Sequence, residues 1–237
     1  MTLRTFTFGM IASFGSAWLF AVVLPFFKTR DVNPVYFADG IDEKTGVYFP
    51  KRTGQITTGA KVYAQNGCYV CHTQVVRPTY AGNDIHRDGW AGFKADPDRG
   101  DTRRESNVFD YQGEEFAQIG IMRIGPDLSN VGSRYEKTAI ALNELNKTKL
   151  GDAWNDSMKT SPEALLLEHL YNPRNKPSMR WSTCPSVRFL FNEPAREGLA
   201  PSPKPEARAL IGYLLSMKKN DTVPASMNYA PPKPAAQ

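Results

Sequence analysis

The sequence predicts an all-α protein in which one N-terminal membrane-spanning helix is followed by a helical domain broken by long loop insertions. Three observations carry this. Phe6 to Phe27, "FTFGMIASFGSAWLFAVVLPFF", is 22 residues without a charge. Near the other end, "KPEARALIGYLLSMKK" repeats apolar residues at helical spacing, with Ala209, Leu210, Tyr213, Leu214 and Met217 on one face. Between these lie most of the 18 Gly and 18 Pro, which mark loops.

The first element, residues 1–30, reads as a membrane anchor. At 1.5 Å per residue the uncharged run spans a hydrocarbon core about 30 Å thick. A cleaved signal peptide has a shorter apolar region and a small-x-small cleavage site; this segment ends Pro25-Phe-Phe-Lys-Thr-Arg30, so an uncleaved anchor is expected. Arg4 on one side and Lys28 and Arg30 on the other give no clear orientation by the positive-inside rule. Gly9, Ser13, Ala17 and Ala21 recur every four residues as a stripe of small side chains.

Residues 31–54, rich in Gly, Pro and charge, read as a linker, and 55–219 as the main domain. That domain opens with a short helix in "TTGAKVYAQNGC", for which Thr57 or Thr58 is the expected cap. "SPEALLLEHLYNPRNKPSMRW" predicts a helix capped by Ser161, with Pro162 at its first position, ending near Tyr171 and leading into an extended Pro-broken loop that carries Met179. The last helix starts at Pro205, with Lys218 and Lys219 expected in its final turn. The stretches 84–120 and 138–160 read as loop insertions, and the Pro/Ala-rich tail 220–237 as disordered.

Chemistry concentrates at "GCYVCHTQVVRP". The chain has three Cys and three His, and Cys68, Cys71 and His72 fall within five residues. Cys-x-x-Cys-His is the pattern of c-type haem attachment: both thiols bond covalently to neighbouring vinyl groups across one helical turn, and the histidine next in line is carried to the iron. A thioredoxin-like pair has no use for the histidine and sits beside a βαβ pattern that is not found here. A structural zinc site needs four ligands, and no second Cys-x-x-Cys or His pair is found downstream. The expected cofactor is one covalent haem c. Thioether formation takes place outside the cytoplasmic membrane, which would put everything after Arg30 on the periplasmic side of a bacterial inner membrane. The net charge of +5 is scattered, with no basic run interleaved with aromatics, so no nucleic-acid partner is expected. No Ser/His/Asp set, phosphate loop or carboxylate pair stands out.

With the haem motif in hand, the first and last helices resemble the crossed helices of a class I cytochrome c, and the resemblance implies close approach of Gly59 and Tyr213. "RIGPDLSNVGSRY" resembles the Gly-Pro-x-Leu segment of such cytochromes, which implies that the Pro126 carbonyl accepts the ring N–H of His72. The sixth ligand of these cytochromes usually comes after a helix such as that ending near Tyr171. Among seven methionines, Met1, Met10, Met217 and Met227 lie in the anchor, on a helix face or in the tail. Met122 is too near Pro126, and of the remaining pair Met179 is favoured over Met158, with His169 and His86 as rivals. Arg77, Arg134 and Arg188 are candidates for pairing haem propionates, Arg77 first because Pro78 pins its backbone. Cys184 is expected to be a buried, unpaired thiol.

"GCYVCHTQVVRP", "RIGPDLSNVGSRY", "HLYNPRNKPSM" and the single anchor together resemble the mono-haem cytochrome c subunit, subunit II, of cbb-type, C-family haem-copper oxidases (the FixO/CcoO family). The resemblance covers the anchor and most of Gly54 to Met179. It implies a non-catalytic electron-transfer subunit of a membrane-bound cytochrome c oxidase. Its partners would be the catalytic haem-copper subunit and a further cytochrome c subunit or soluble cytochrome donor. The insertions depart from the family pattern. A free-standing anchored carrier, and a haem enzyme with an open sixth position, are the alternatives.

Overall fold

The computed structural model describes residues 2–30, 41–42, 47–48, 54–95, 100–111, 114–194, 196 and 200–219. The tail 220–237 and most of the linker lie outside these. The chain falls into two units, Met1–Ala38 and Asp39–Gln237.

The first unit is the apolar helix. It runs as α1 (Leu3–Trp18), a π-helical turn (Leu19–Val23) and α2 (Leu24–Thr29). The span Leu3–Lys28, with mean hydropathy 1.9, is long and apolar enough to cross a membrane. Pro25 explains the π turn: its ring clashes with the carbonyl four residues back, and widening the helix to an i→i−5 bond, Leu24 N–H to Leu19 O, relieves this.

The second unit is mostly helical: α3 (Gln55–Gln65), α4 (Cys68–Cys71), α5 (Val131–Leu150), α6 (Pro162–Tyr171) and α7 (Pro205–Ser216), joined by short 3₁₀ turns. Two antiparallel pairs of two-residue strands, β1 (Ile41–Asp42) with β2 (Val47–Tyr48) and β3 (Phe191–Asn192) with β4 (Ser202–Pro203), are the strands among the described residues. The most extensive packing is α3 across α7. Tyr63 and Tyr213 meet there with ring centroids 5.6 Å apart, both almost fully buried, alongside Leu210, Ile211 and Leu214. Each fully buried Leu or Ile contributes about 1.5–3 kcal/mol.

Gly59 makes this crossing possible. A Cβ at that position would collide with the Ala209 carbonyl oxygen and lie 2.7 Å from the Tyr213 Cβ. Backbone cannot yield as a flexible side chain can, so Gly59→Ala is expected to cost about 3 kcal/mol. Calorimetry should then find Tm lower by roughly 10 °C for a domain of this size.

Some expectations need correcting. Neither Thr57 nor Thr58 caps α3: Gly54 occupies the cap, and Thr58 Oγ1 donates back to the Gly54 carbonyl at 3.2 Å. Residues 138–150 are not loop but the second half of α5, a helix whose many polar residues hid it from a hydrophobic-periodicity reading. Lys218 and Lys219 lie just beyond α7 rather than in its last turn. Lys219, 2% exposed, is instead drawn inward, where its ammonium meets Asp110 at 2.5 Å and Ser106 Oγ at 2.9 Å. Asp110 also takes a two-pronged bond from Arg104, at 2.9 and 2.8 Å. This buried trio ties the 84–120 segment to the end of α7. The helix capped by Ser161, by contrast, is where the sequence puts it: Ala164 N–H donates to Ser161 Oγ at 3.1 Å.

Candidate functional site

The α3 helix ends at Gln65, and Gly67, in the left-handed region at φ 65°, turns the chain into the single turn α4. Cys68 and Cys71 therefore stand one turn apart, and the His72 N–H donates to the Cys68 carbonyl at 3.1 Å. His72 then leaves the helix in an extended conformation. Its ring Nδ1 lies 2.8 Å from the Pro126 carbonyl oxygen, 54 residues away in sequence. A carbonyl only accepts, so Nδ1 carries the proton and Nε2 is left as a base with a free lone pair. Burial lowers the His72 pKa, which favours this neutral ring.

The ring lies against bare backbone. A Cβ on Gly125 would overlap the His72 Cε1 and come within 2.6 Å of Nδ1, so only glycine fits beneath the imidazole. The Gly125 N–H donates to the Cys71 carbonyl at 2.9 Å and the Leu128 N–H to the Thr73 carbonyl at 2.7 Å, which zips the two segments together on either side of Pro126.

The thiols do not look like a redox pair. Burial pushes Cys68 up to about 11, whereas a reactive Cys-x-x-Cys pair depends on a thiol lowered toward neutrality. All three cysteines are free thiols. Among the described residues no group of three or more His, Cys, Asp or Glu side chains gathers as a metal site.

The remaining predicted residues are placed differently. Met179 sits half-buried at the end of a 3₁₀ turn, Pro177–Met179, not in an extended loop. Arg174 organises the stretch just beyond that turn, donating to the carbonyls of Ser182 at 3.0 Å and Cys184 at 2.9 Å. Cys184 in turn lies near enough to Cys71 for the two thiols to interact electrostatically, which brings this loop beside the motif. Met122 and Met158 are each 46% exposed, and His86 is exposed.

Arg77 is committed elsewhere. Its guanidinium holds the Asp84 carboxylate through Nε at 3.1 Å and Nη2 at 3.0 Å. Arg188 stacks over the Tyr171 ring at 4.9 Å. Arg134 is the arginine that remains. It is half-buried near His72 and is attracted by the Asp127 carboxylate, forms no ion pair within 4 Å among the described residues, and donates to the Asp127 carbonyl at 2.5 Å. Burial lowers its pKa, and the Asp127 charge offsets that only in part. His169 faces the same region. Its Nδ1 is sealed from solvent without a hydrogen-bond partner, and burial lowers the ring to about 4.

These features fit a c-type haem. Two thiols on one turn, a histidine with a free Nε2, a glycine cradle beneath its ring, a half-buried guanidinium with no salt bridge among the described residues and an orphaned imidazole nitrogen are what such a group would engage. The sequence could not reveal Arg134's lack of a salt bridge among the described residues or His169's orphaned nitrogen, because both depend on which neighbours folding brings.

No family model matches this chain, and no curated protein matches it significantly.

Proposed function

We propose that this protein is a membrane-anchored mono-haem cytochrome c of class I architecture that passes electrons within a respiratory complex, as subunit II of a cbb-type oxidase. The hydrogen bond from His72 Nδ1 to the Pro126 carbonyl carries the reading, because it fixes the tautomer and orientation of the one histidine that adjoins the Cys-x-x-Cys pair. Bound haem would supply a one-electron couple.

The chain's own residues do the rest. Cys68 and Cys71 would hold the group covalently, His72 would offer Nε2 to its iron, and the Pro126 carbonyl would make that nitrogen a stronger donor. Met179 would offer its thioether as a second ligand, which would favour the reduced state. Arg134 offers its fork to a carboxylate. The helix Leu3–Lys28, long and apolar enough to cross a membrane, would anchor the chain, with residues beyond Arg30 on the periplasmic side.

Purification of the full chain in mild detergent, then haem staining and assay of co-purifying b-type haem and copper, tests this. Covalent haem with both companions supports the oxidase subunit. Covalent haem alone supports a free-standing carrier. A related prediction concerns the small-residue stripe, where a Cβ added at Gly9 would meet no neighbour within 4 Å among the described residues outside its own helix backbone. Lipid solvates Leu as well as Gly, so bulk there matters only against another helix. Gly9→Leu with Ser13→Leu should leave haem and membrane insertion intact and strip the protein from its complex, read by gel filtration.

A further inference from the structure

The segment that begins at Asp84 departs from the family resemblance, yet it reaches the peptide just after His72. Asp84 is fully buried, and the neighbouring Ile85 packs with Val76 and Ala91 in a small apolar cluster of its own. The Asp84 carboxylate receives the Arg123 Nη1 at 2.6 Å as well as the Arg77 fork and the Arg77 N–H at 2.8 Å. Arg123 spends its other donors on the strand after the motif: Nε donates to Thr73 Oγ1 at 2.8 Å and Nη2 to the Val75 carbonyl at 2.6 Å.

Thr73 Oγ1 passes the connection on, donating to Asp127 Oδ2 at 2.6 Å. The same carboxylate oxygen takes the Val75 N–H at 2.8 Å, and the other takes the Ser129 N–H at 2.8 Å. Asp127 is fully buried and adjoins Pro126, whose carbonyl holds the His72 ring. A set of charge-assisted bonds therefore runs from Asp84 through Arg123 and Thr73 to Asp127, whose peptide bond joins it to the Pro126 carbonyl that accepts the histidine proton. Such bonds are short and directional, and buried ones shift together when one member is lost.

The balance of charge shows what Asp84 does. Arg123 lies 2.6 Å from Asp84 and 3.7 Å from Asp127, so Asp84 is its main counter-ion. Without that charge, Arg123 has one carboxylate left to turn to, and moving onto Asp127 competes with Thr73 and Val75 for the same oxygens. The Pro126 carbonyl then loses its fixed distance from Nδ1.

We propose that the segment opening at Asp84 is a positioning element for His72: Asp84, acting through Arg123 and Asp127, holds the Pro126 carbonyl on the imidazole and so sets the reduction equilibrium of the bound haem. This rests on the haem reading above. A weaker Nδ1 bond makes the imidazole a poorer donor, so the oxidised state is stabilised less and the potential rises.

The test is Asp84→Asn in the full-length, detergent-solubilised protein. Haem should remain covalently attached, the reduction equilibrium should move about tenfold toward the reduced form, which is 59 mV for one electron, and the His72 Nδ1 proton should exchange faster with solvent by NMR. Asp110→Asn is the control, since it removes a buried carboxylate from the same segment but acts on Arg104 and Lys219. It should lower Tm and leave the potential in place. An unchanged potential in Asp84→Asn, or an equal shift in Asp110→Asn, overturns the proposal. If Asp84→Asn fails to fold, Arg123→Lys, which keeps the charge and loses the fork, is held to the same expectation. Should the wild-type chain carry no covalent haem, the functional reading falls separately. The Nδ1 proton of the haem-free chain then decides: equal exchange in wild type and variant overturns the positioning role, and faster exchange in the variant upholds it.

Discussion

Cys68→Ala with Cys71→Ala leaves a chain from which all haem is extracted by acid-acetone, and which gives no haem stain on a denaturing gel. Only thioethers survive both treatments, and the third thiol of the chain, Cys184, stands on a loop rather than on the turn that presents the pair. The effect is therefore close to complete loss, not a fractional one. Cys184→Ala should stain as wild type. Haem retained covalently by the double variant would sink the attachment assignment and the function built on it. Either single variant should keep one thioether.

Met179→Leu produces the second large effect. Leucine matches methionine in volume, so packing of the half-buried turn changes little, but a thioether lone pair is removed. The expected outcome is loss of the sulfur-to-iron charge-transfer absorption of the oxidised protein and rapid binding of carbon monoxide to the reduced one. Met122→Leu, at a 46% exposed position, should do neither. Reversed results would move the ligand to Met122. Failure of both variants to alter the spectrum would turn attention to His169, whose buried Nδ1 lacks a partner.

How far the sequence could be read depends on the range over which each signal acts. The α6 cap and the long apolar N-terminal helix were legible because Ser161 with Pro162, and an uncharged run, act on their nearest neighbours. The α3–α7 crossing was legible through a resemblance that pointed to Gly59 and Tyr213, and the close approach is there. The second half of α5 was missed because its exposed Ile140, Leu145 and Leu150 form no buried stripe. Arg77 was ranked above Arg134 on the strength of Pro78 alone, a local argument; the carboxylate that occupies it, Asp84, sits in a segment that looked like a solvated loop. Long-range ion pairs leave no mark in a linear pattern, which is why Asp84, Asp110 and Arg123 emerged only in three dimensions.

The close contact of Gly59 with Ala209 also governs the order of events during synthesis. These residues lie roughly 150 positions apart, and closing so long a loop must wait until the C-terminal helix has been made. Until then α3 lacks the surface on which it packs, and the neighbouring turn of Cys68 and Cys71 stays open. On the proposed reading, the topology would leave haem attachment a window that lasts until α7 arrives.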